Sequence, residues 1–219
     1  MEEVEVKRIF GDFVYKGFIK ETSKIKEEVV NNIILSAEKD PNNAKDWSAH
    51  TSFFDDDPDF KMPNLEEIYN PYIKSFVSYA FRNNENASYL LDGPPWYTLY
   101  NKGQSAQAHE HIPSDFVFVH FLKSETGHSP LLVLNPNLSQ WINSQSKPIG
   151  ELMHHFFDHT IMEKDYEIYP EEGSFVIFPA QLIHLVPKSE LDSPRITVAC
   201  NFTIITKEIE QEIKENERI

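Results

Sequence analysis

Three histidines and one arginine carry the chemistry that this sequence offers. His109 and His111 flank Glu110. Successive strand side chains alternate faces, so residues two apart share a face at about 6.5–7 Å between Cα atoms, and two imidazoles there can converge on one ion. Glu110 then points the other way. Such a pair is, taken alone, equally two sheet-face histidines bonding water and backbone. The segment Gly173-Ser-Phe-Val-Ile-Phe-Pro-Ala-Gln-Leu-Ile-His184 adds a third imidazole, delivered by an apolar strand that ends in a proline turn. If the fold sets the two strands face to face, His184 completes one face of an octahedral ion and leaves positions open, as a catalytic iron requires. Arg195 follows through the turn Lys188–Pro194, a spacing that returns it to the neighbourhood of His184 on a hairpin partner. Alternation puts Arg195, Thr197, Ala199 and Asn201 on one face. An internal guanidinium is costly unless it meets an anion, and its planar fork matches a carboxylate; an ion pair with Glu190 or Asp192 would answer the same need.

The elements that must position these residues are legible from periodicity. VEVKRIFGDFVYKGFI reads as two strands turning at Gly11-Asp12. Between Glu21 and Lys39, Ile25, Val29, Val30, Ile33, Ile34 and Ala37 recur at helical spacing, and Pro41 closes the run. A second helix is predicted over 65–81, with Leu65, Ile68, Tyr72, Phe76 and Tyr79 on one stripe. After Asp92-Gly93-Pro94-Pro95 the texture becomes short alternating runs: Trp96–Asn101, His109–His111, Phe116–Leu122, Pro130–Leu134, Tyr166–Tyr169, Ser174–Phe178, Ile183–Val186 and Arg195–Ile205. Strands at this spacing predict a sandwich or jelly roll rather than a parallel α/β sheet. The chain ends in a polar helical stretch with Ile209 and Ile213 as its apolar anchors. The fold class is therefore mainly β with flanking helices, a double-stranded β-helix with N-terminal helices packed outside. One domain is expected over 1–219: an annex over 1–95, a jelly-roll core over 96–205 and a helical tail over 206–219.

Composition narrows the partners. The 219 residues carry 20 Lys+Arg against 35 Asp+Glu, a formal charge of −15. That disfavours nucleic acid and acidic lipid surfaces. Residues 96–135 and 170–204 hold seven acids and four bases, so most of the acidity lies outside the core. Cys200 is the single cysteine, which excludes an intrachain disulfide and a cysteine-based zinc site. The charged start lacks a signal-type apolar stretch, and nothing later has membrane-helix length, so a cytoplasmic protein without membrane contact is expected.

The motifs together resemble the Fe(II)- and 2-oxoglutarate-dependent dioxygenases. Tyr100-Asn-Lys-Gly103-Gln-Ser-Ala-Gln-Ala-His109-Glu-His111 is similar to the opening motif of the prolyl-hydroxylase-like branch. Pro170 to His184 and Arg195-Ile-Thr-Val-Ala-Cys-Asn201 resemble a small uncharacterised oxygenase family with H-x-H, a distal histidine and an arginine. The resemblance spans Trp96 to Ile205, and Asp46-Trp47-Ser48 matches that family's upstream tryptophan. It implies that His109, His111 and His184 hold iron and that Arg195 with Thr197 takes the distal carboxylate of 2-oxoglutarate, with Tyr100 and Asn201 shaping that pocket. It also implies O2 as cosubstrate, succinate and CO2 as products, and hydroxylation of a small-molecule or peptidyl substrate, an amino acid residue or free amino acid being favoured. Trp96, Tyr97, Phe116, Phe118 and Phe178 would line the cavity. His111 stands where most such enzymes have a carboxylate; Glu110 is turned away by strand alternation, and Asp115 is the other acid within reach.

Two other readings use the same residues. Gly103 with His109-x-His111, and Gly173 with Pro179 and His184, fit much of the two cupin motifs, although neither motif is complete and Arg195 then has no task. A jelly roll that binds without catalysis is the third. Elsewhere, Asp55–Asp59 reads as a solvated acidic turn, His155 and His159 of the His154-containing run have helical zinc spacing without further ligands, and His120, His128 and Cys200 carry no assigned role.

Overall fold

Alternation along one central strand divides this protein into a structural face and a cavity face. The structure, a computed structural model, describes residues 4–9, 11–40, 48–53, 64–137 and 164–216. In chain order these form β1 (Glu5–Ile9), β2 (Asp12–Phe18), α1 (Thr22–Lys39), β3 (His50–Thr51), α2 (Leu65–Ala80), β4 (Ala87–Leu91), β5 (Trp96–Tyr100), β6 (Ala106–His109), β7 (Phe116–Lys123), β8 (Leu131–Leu134), β9 (Asp165–Ile168), β10 (Ser174–Pro179), β11 (His184–Val186), β12 (Arg195–Thr206) and α3 (Lys207–Asn216). The larger sheet runs β1-β2-β10-β7-β12-β5-β3, with β4 also on β12; the smaller runs β6-β11-β8-β9. Every pairing is antiparallel.

Along β7, Phe118, His120 and Leu122 face the helices while Val117, Val119 and Phe121 face the smaller sheet. α1 buries Ile25, Val29, Ile33 and Ala37, the stripe its periodicity predicts. In α2 the buried stripe is Leu65, Tyr69, Ile73, Phe76 and Val77, one position round from the predicted one, and Tyr79 is exposed. Both stripes satisfy helical spacing. What selects the observed one is a polar contact that periodicity cannot see.

That contact is His120, fully buried behind the sheet. Thr22 Oγ1 donates to the Ile19 carbonyl at 2.8 Å, so it accepts from His120 Nε2 at 3.1 Å. His120 Nδ1 then accepts from the Tyr69 hydroxyl at 3.1 Å. The first turn of α1, the middle of α2 and the centre of β7 are thereby joined through one neutral ring. Gly173, at φ +85, carries the turn into β10 that packs on the same threonine. His50 does similar work at the far edge, bonding the Asp40 carbonyl at 2.7 Å and the Tyr97 hydroxyl at 2.8 Å.

Desolvation pushes His120 down to about 3. A histidine lowered in the folded state stabilises the protein fully above its ordinary value near 6.5, and that contribution is lost as pH falls towards the folded value. Wild type should therefore lose about 1.4 kcal/mol per pH unit between pH 6 and 4 more than His120→Gln does, read as urea unfolding free energies of the two proteins across that range.

Candidate active site

The smaller sheet presents two histidines directly opposite each other. β11 pairs with β6 so that His184 lies across from His109. His111 is not on the strand: β6 ends at His109, and His111 stands in the turn that follows, with its N–H donating to the Ala180 carbonyl at 2.9 Å. Ala180 N–H in turn donates to the Asp115 carbonyl at 2.9 Å, so the 111–115 turn is held against the connection that leads into His184. The ligand-type nitrogens of His109, His111 and His184 all lie within 4.8 Å of one another.

The ring orientations suit a ligand set. His109 Nδ1 bonds the Gln107 carbonyl at 2.7 Å and His184 Nδ1 bonds the Leu182 carbonyl at 2.9 Å. Each Nδ1 must carry the proton to donate there, which leaves Nε2 unprotonated. The Nε2 atoms of His111 and His184 approach to 3.3 Å. Two cis nitrogens at about 2.1 Å from one ion stand about 3 Å apart, so this spacing fits a shared metal. Desolvation lowers all three imidazoles, His111 to about 4, with His109 adding like-charge repulsion to it. They are thus neutral, and able to coordinate, at pH values where an ordinary imidazole is protonated.

The larger sheet supplies the opposite wall. β12 and β5 pair Arg195 with Tyr100, Thr197 with Thr98 and Ala199 with Trp96, three successive rows that share one cavity with the histidines, Val119, Leu131 and Val186. Arg195 is 1% exposed, its guanidinium 4.9 Å from the Tyr100 ring centre and 5.5 Å from that of Phe121. Its Nε and Nη1 have no hydrogen-bond partner. Among the described residues no carboxylate pairs with it; Asp192 bonds Lys102 at 3.0 Å and Glu190 is exposed. Burial pushes the Tyr100 phenol up while the adjacent guanidinium pulls it down.

Several expectations change. Tyr97, Phe116 and Phe118 face the helices, not the cavity, because each is one residue out of phase with a cavity residue; Phe178 packs edge-on against His184 at 4.9 Å. Asn201 lies on the cavity side of β12 beyond Ala199 but is not part of the lining, and its Oδ1 is buried without a partner. Neither Glu110 nor Asp115 joins the histidines: Glu110 is exposed, and Asp115 Oδ2 accepts from the Ile204 N–H at 2.8 Å. Trp96 does more than line the cavity. It stacks on His111 with ring centres 5.8 Å apart, and Phe53 stands edge-on to it at 5.0 Å. The His154, His155 and His159 run, Asp55–Asp59 and Asp46-Trp47 lie outside the described residues.

Residues 95–201 match the family described as putative 2OG-Fe(II) oxygenase, a span that contains all three histidines and the arginine. That stretch of the chain matches the 2OG-Fe(II) oxygenases. Solved structures share the fold at low identity. A viral collagen prolyl hydroxylase from Paramecium bursaria chlorella virus-1, in complex with 2OG, is 10% identical with a TM-score of 0.50, covering 86% of this chain and 94% of its own. A Trichoplax adhaerens prolyl hydroxylase bound to a hypoxia-inducible-factor peptide is 11% identical with a TM-score of 0.51, covering 87% and 83%. AviO1 from Streptomyces viridochromogenes is 10% identical with a TM-score of 0.52, covering 88% and 90%. No curated protein matches by sequence. The oxygenase family implies Fe(II), 2-oxoglutarate and O2 as cofactors. The donor set fits them: three neutral imidazoles for iron, and an unpaired buried guanidinium for a carboxylate. No helix among the described residues is long and apolar enough to cross a membrane.

A buried charge with two unpartnered N–H groups lowers the stability of the ligand-free fold. Arg195→Met keeps most of the side-chain volume and removes that burden. The oxygenase carrying it should gain about 1–3 kcal/mol of unfolding free energy without ligands, measured by urea denaturation, while a loss would show that the guanidinium is already satisfied.

Proposed function

We propose that this chain hydroxylates an amino acid, free or within a peptide, with 2-oxoglutarate as cosubstrate, releasing succinate and CO2. In this reading His109, His111 and His184 hold Fe(II), Arg195 takes the distal carboxylate of 2-oxoglutarate and Thr197 donates beside it. The Tyr100 ring holds the guanidinium in place, and Asn201 shapes the same cavity from further along β12. Iron with 2-oxoglutarate and O2 supplies the oxidant. The protein orients the diacid between the two sheets and keeps water from the reacting groups with the aliphatic wall of Val119, Leu131 and Val186.

The observation that carries this reading is the pairing, within one cavity, of the three imidazoles with a buried guanidinium whose Nε and Nη1 are unpartnered. A metal site alone would leave Arg195 without a task. The amino acid class is supported by the fold shared with prolyl hydroxylases, one of them solved with a peptide bound.

Fe(II) and 2-oxoglutarate added without oxygen should produce a weak visible charge-transfer band, and admission of air should yield succinate. Arg195→Ala should weaken 2-oxoglutarate binding by about 30-fold or more, since truncating one side of a buried charge pair costs about 2–5 kcal/mol. A metal-dependent activity that survives Arg195→Ala, with no band in wild type, would favour a cupin-type enzyme that does without 2-oxoglutarate.

A further inference from the structure

The three imidazoles are held in two different ways. His109 and His184 each donate from Nδ1 to a carbonyl two residues earlier in the chain, Gln107 at 2.7 Å and Leu182 at 2.9 Å, so local backbone fixes those rings. His111 stands beyond the end of β6, its backbone placed by the bond to Ala180 and by the Ser114 N–H, which donates to the His111 carbonyl at 3.0 Å. These bonds place the Cα, while the direction of the ring depends on χ1 and on a broad χ2 well. Two rings limit it: His184 lies at 11° to it with centres 5.1 Å apart, and the Trp96 indole at 29° with centres 5.8 Å apart. Trp96 is itself buried and firmly backed. It opens β5 opposite Ala199 of β12, and Phe53 stands against it at 5.0 Å and 66°. Phe53 follows β3, which is stitched to β5: the Tyr97 carbonyl accepts from the Thr51 hydroxyl at 2.7 Å and from the Ser52 N–H at 3.1 Å, and the Tyr97 N–H donates to the Ser52 hydroxyl at 3.0 Å. The Phe53 N–H donates to the Thr51 hydroxyl at 3.2 Å. Contacts therefore run from the annex through Phe53 and Trp96, on the larger sheet, to a ligand-type ring that continues the smaller one.

We propose that Trp96 is a positioning residue for the metal centre: its indole face holds the His111 imidazole in the orientation that lets Nε2 share an ion with His109 and His184. This rests on the Fe(II) reading above and deepens it, giving β3 and Phe53 a part in metal affinity. The indole offers an N–H donor and no lone pair, so it acts through His111 and not as a ligand. A ring that can turn about χ2 loses that freedom when an ion binds; a ring already held does not, and affinity rises accordingly. A flat aromatic face suits the task, since it opposes rotation of the imidazole plane without drawing on either ring nitrogen. An aliphatic side chain fills the space but fixes no plane.

Co(II), added alone to the full chain, is the probe, with affinity read by calorimetric titration and coordination by the visible d–d spectrum. Trp96→Leu should weaken Co(II) binding about tenfold or more, the size of effect seen when a group that orients a metal ligand is lost. Trp96→Phe, which keeps an aromatic plane, should recover most of that loss. In His111→Asp, which can still offer three ligands but lacks the ring that Trp96 orients, Trp96→Leu should cause no further loss. A tryptophan that only fills space predicts equal losses in the two backgrounds. Wild-type affinity in a folded Trp96→Leu, no recovery in Trp96→Phe, or equal losses with His111 and with Asp at that position would each overturn the inference. Should Trp96→Leu fail to fold, Phe53→Ala takes its place: a weaker Co(II) site with His111 and an unchanged one in His111→Asp are expected, and any other pattern overturns the inference. Should His111→Asp fail to fold or to bind Co(II), the comparison of Trp96→Leu with Trp96→Phe decides. A wild type that binds no Co(II) would overturn the metal reading itself, which separates the two failures.

Discussion

A buried arginine without a carboxylate is the constraint around which this fold is arranged. The Arg195 guanidinium sits between the rings of Tyr100 and Phe121, with two N–H groups unpartnered. Such a group holds its place only if its backbone cannot move away. β12 meets that requirement, since it is flanked on both sides, by β5 and β7, and is the longest strand among the described residues. The other face of the same strands packs Ile196, Val198, Cys200 and Phe202 against the helices. Burying each of Ile196, Val198 and Phe202 contributes about 1.5–3 kcal/mol, so the helical face offsets the deficit that the cavity face imposes. The helices, remote from the histidines, are thus part of what makes the site possible.

That division also explains the polar network behind β7. A neutral His120 bonded to Thr22 and Tyr69 fixes where both helices sit on the sheet. Apolar packing tolerates rotation of a helix by one position; a hydrogen-bonded ring does not. The specificity of the layer packing therefore comes from one buried histidine, and its stability from the aliphatic and aromatic residues around it.

Much of this was legible in the sequence because strands have a period of two. The His184 and Arg195 elements, and the cavity-facing sequence Arg195, Thr197, Ala199, follow from alternation and turn residues alone. Alternation also put His111 beside His109, and the two do converge, but by another route: the strand ends at His109, and a turn tied to Ala180 brings His111 to the cluster, a long-range contact with no local signature. The aromatic lining failed for the opposite reason, since Tyr97, Phe116 and Phe118 read as cavity residues by type while their phase puts them behind the sheet. β4, Ala87–Leu91, and the two-residue β3 are short and owe their pairing to β12 and β5, so nothing in their own residues marks them. The buried stripe of α2 was shifted by a hydroxyl that needed a partner, which hydrophobic periodicity does not record.

His109 and His184 belong to the smaller sheet and Arg195 to the larger, and the connection 187–194 between β11 and β12 is pinned by backbone bonds of Ser189 with Gln104 and Gly103. What separates them is the thickness of the aliphatic layer between two sheets, about 10 Å for facing sheets in general. The core therefore acts as a gauge. On the proposed reading, a diacid that touches both walls must have the right number of carbons, so selection between homologous diacids would follow from packing volume at Val119, Leu131 and Val186 rather than from any polar residue. Changing one methylene in that layer would alter which chain length spans the molecule, in the manner of a ruler whose divisions are side chains.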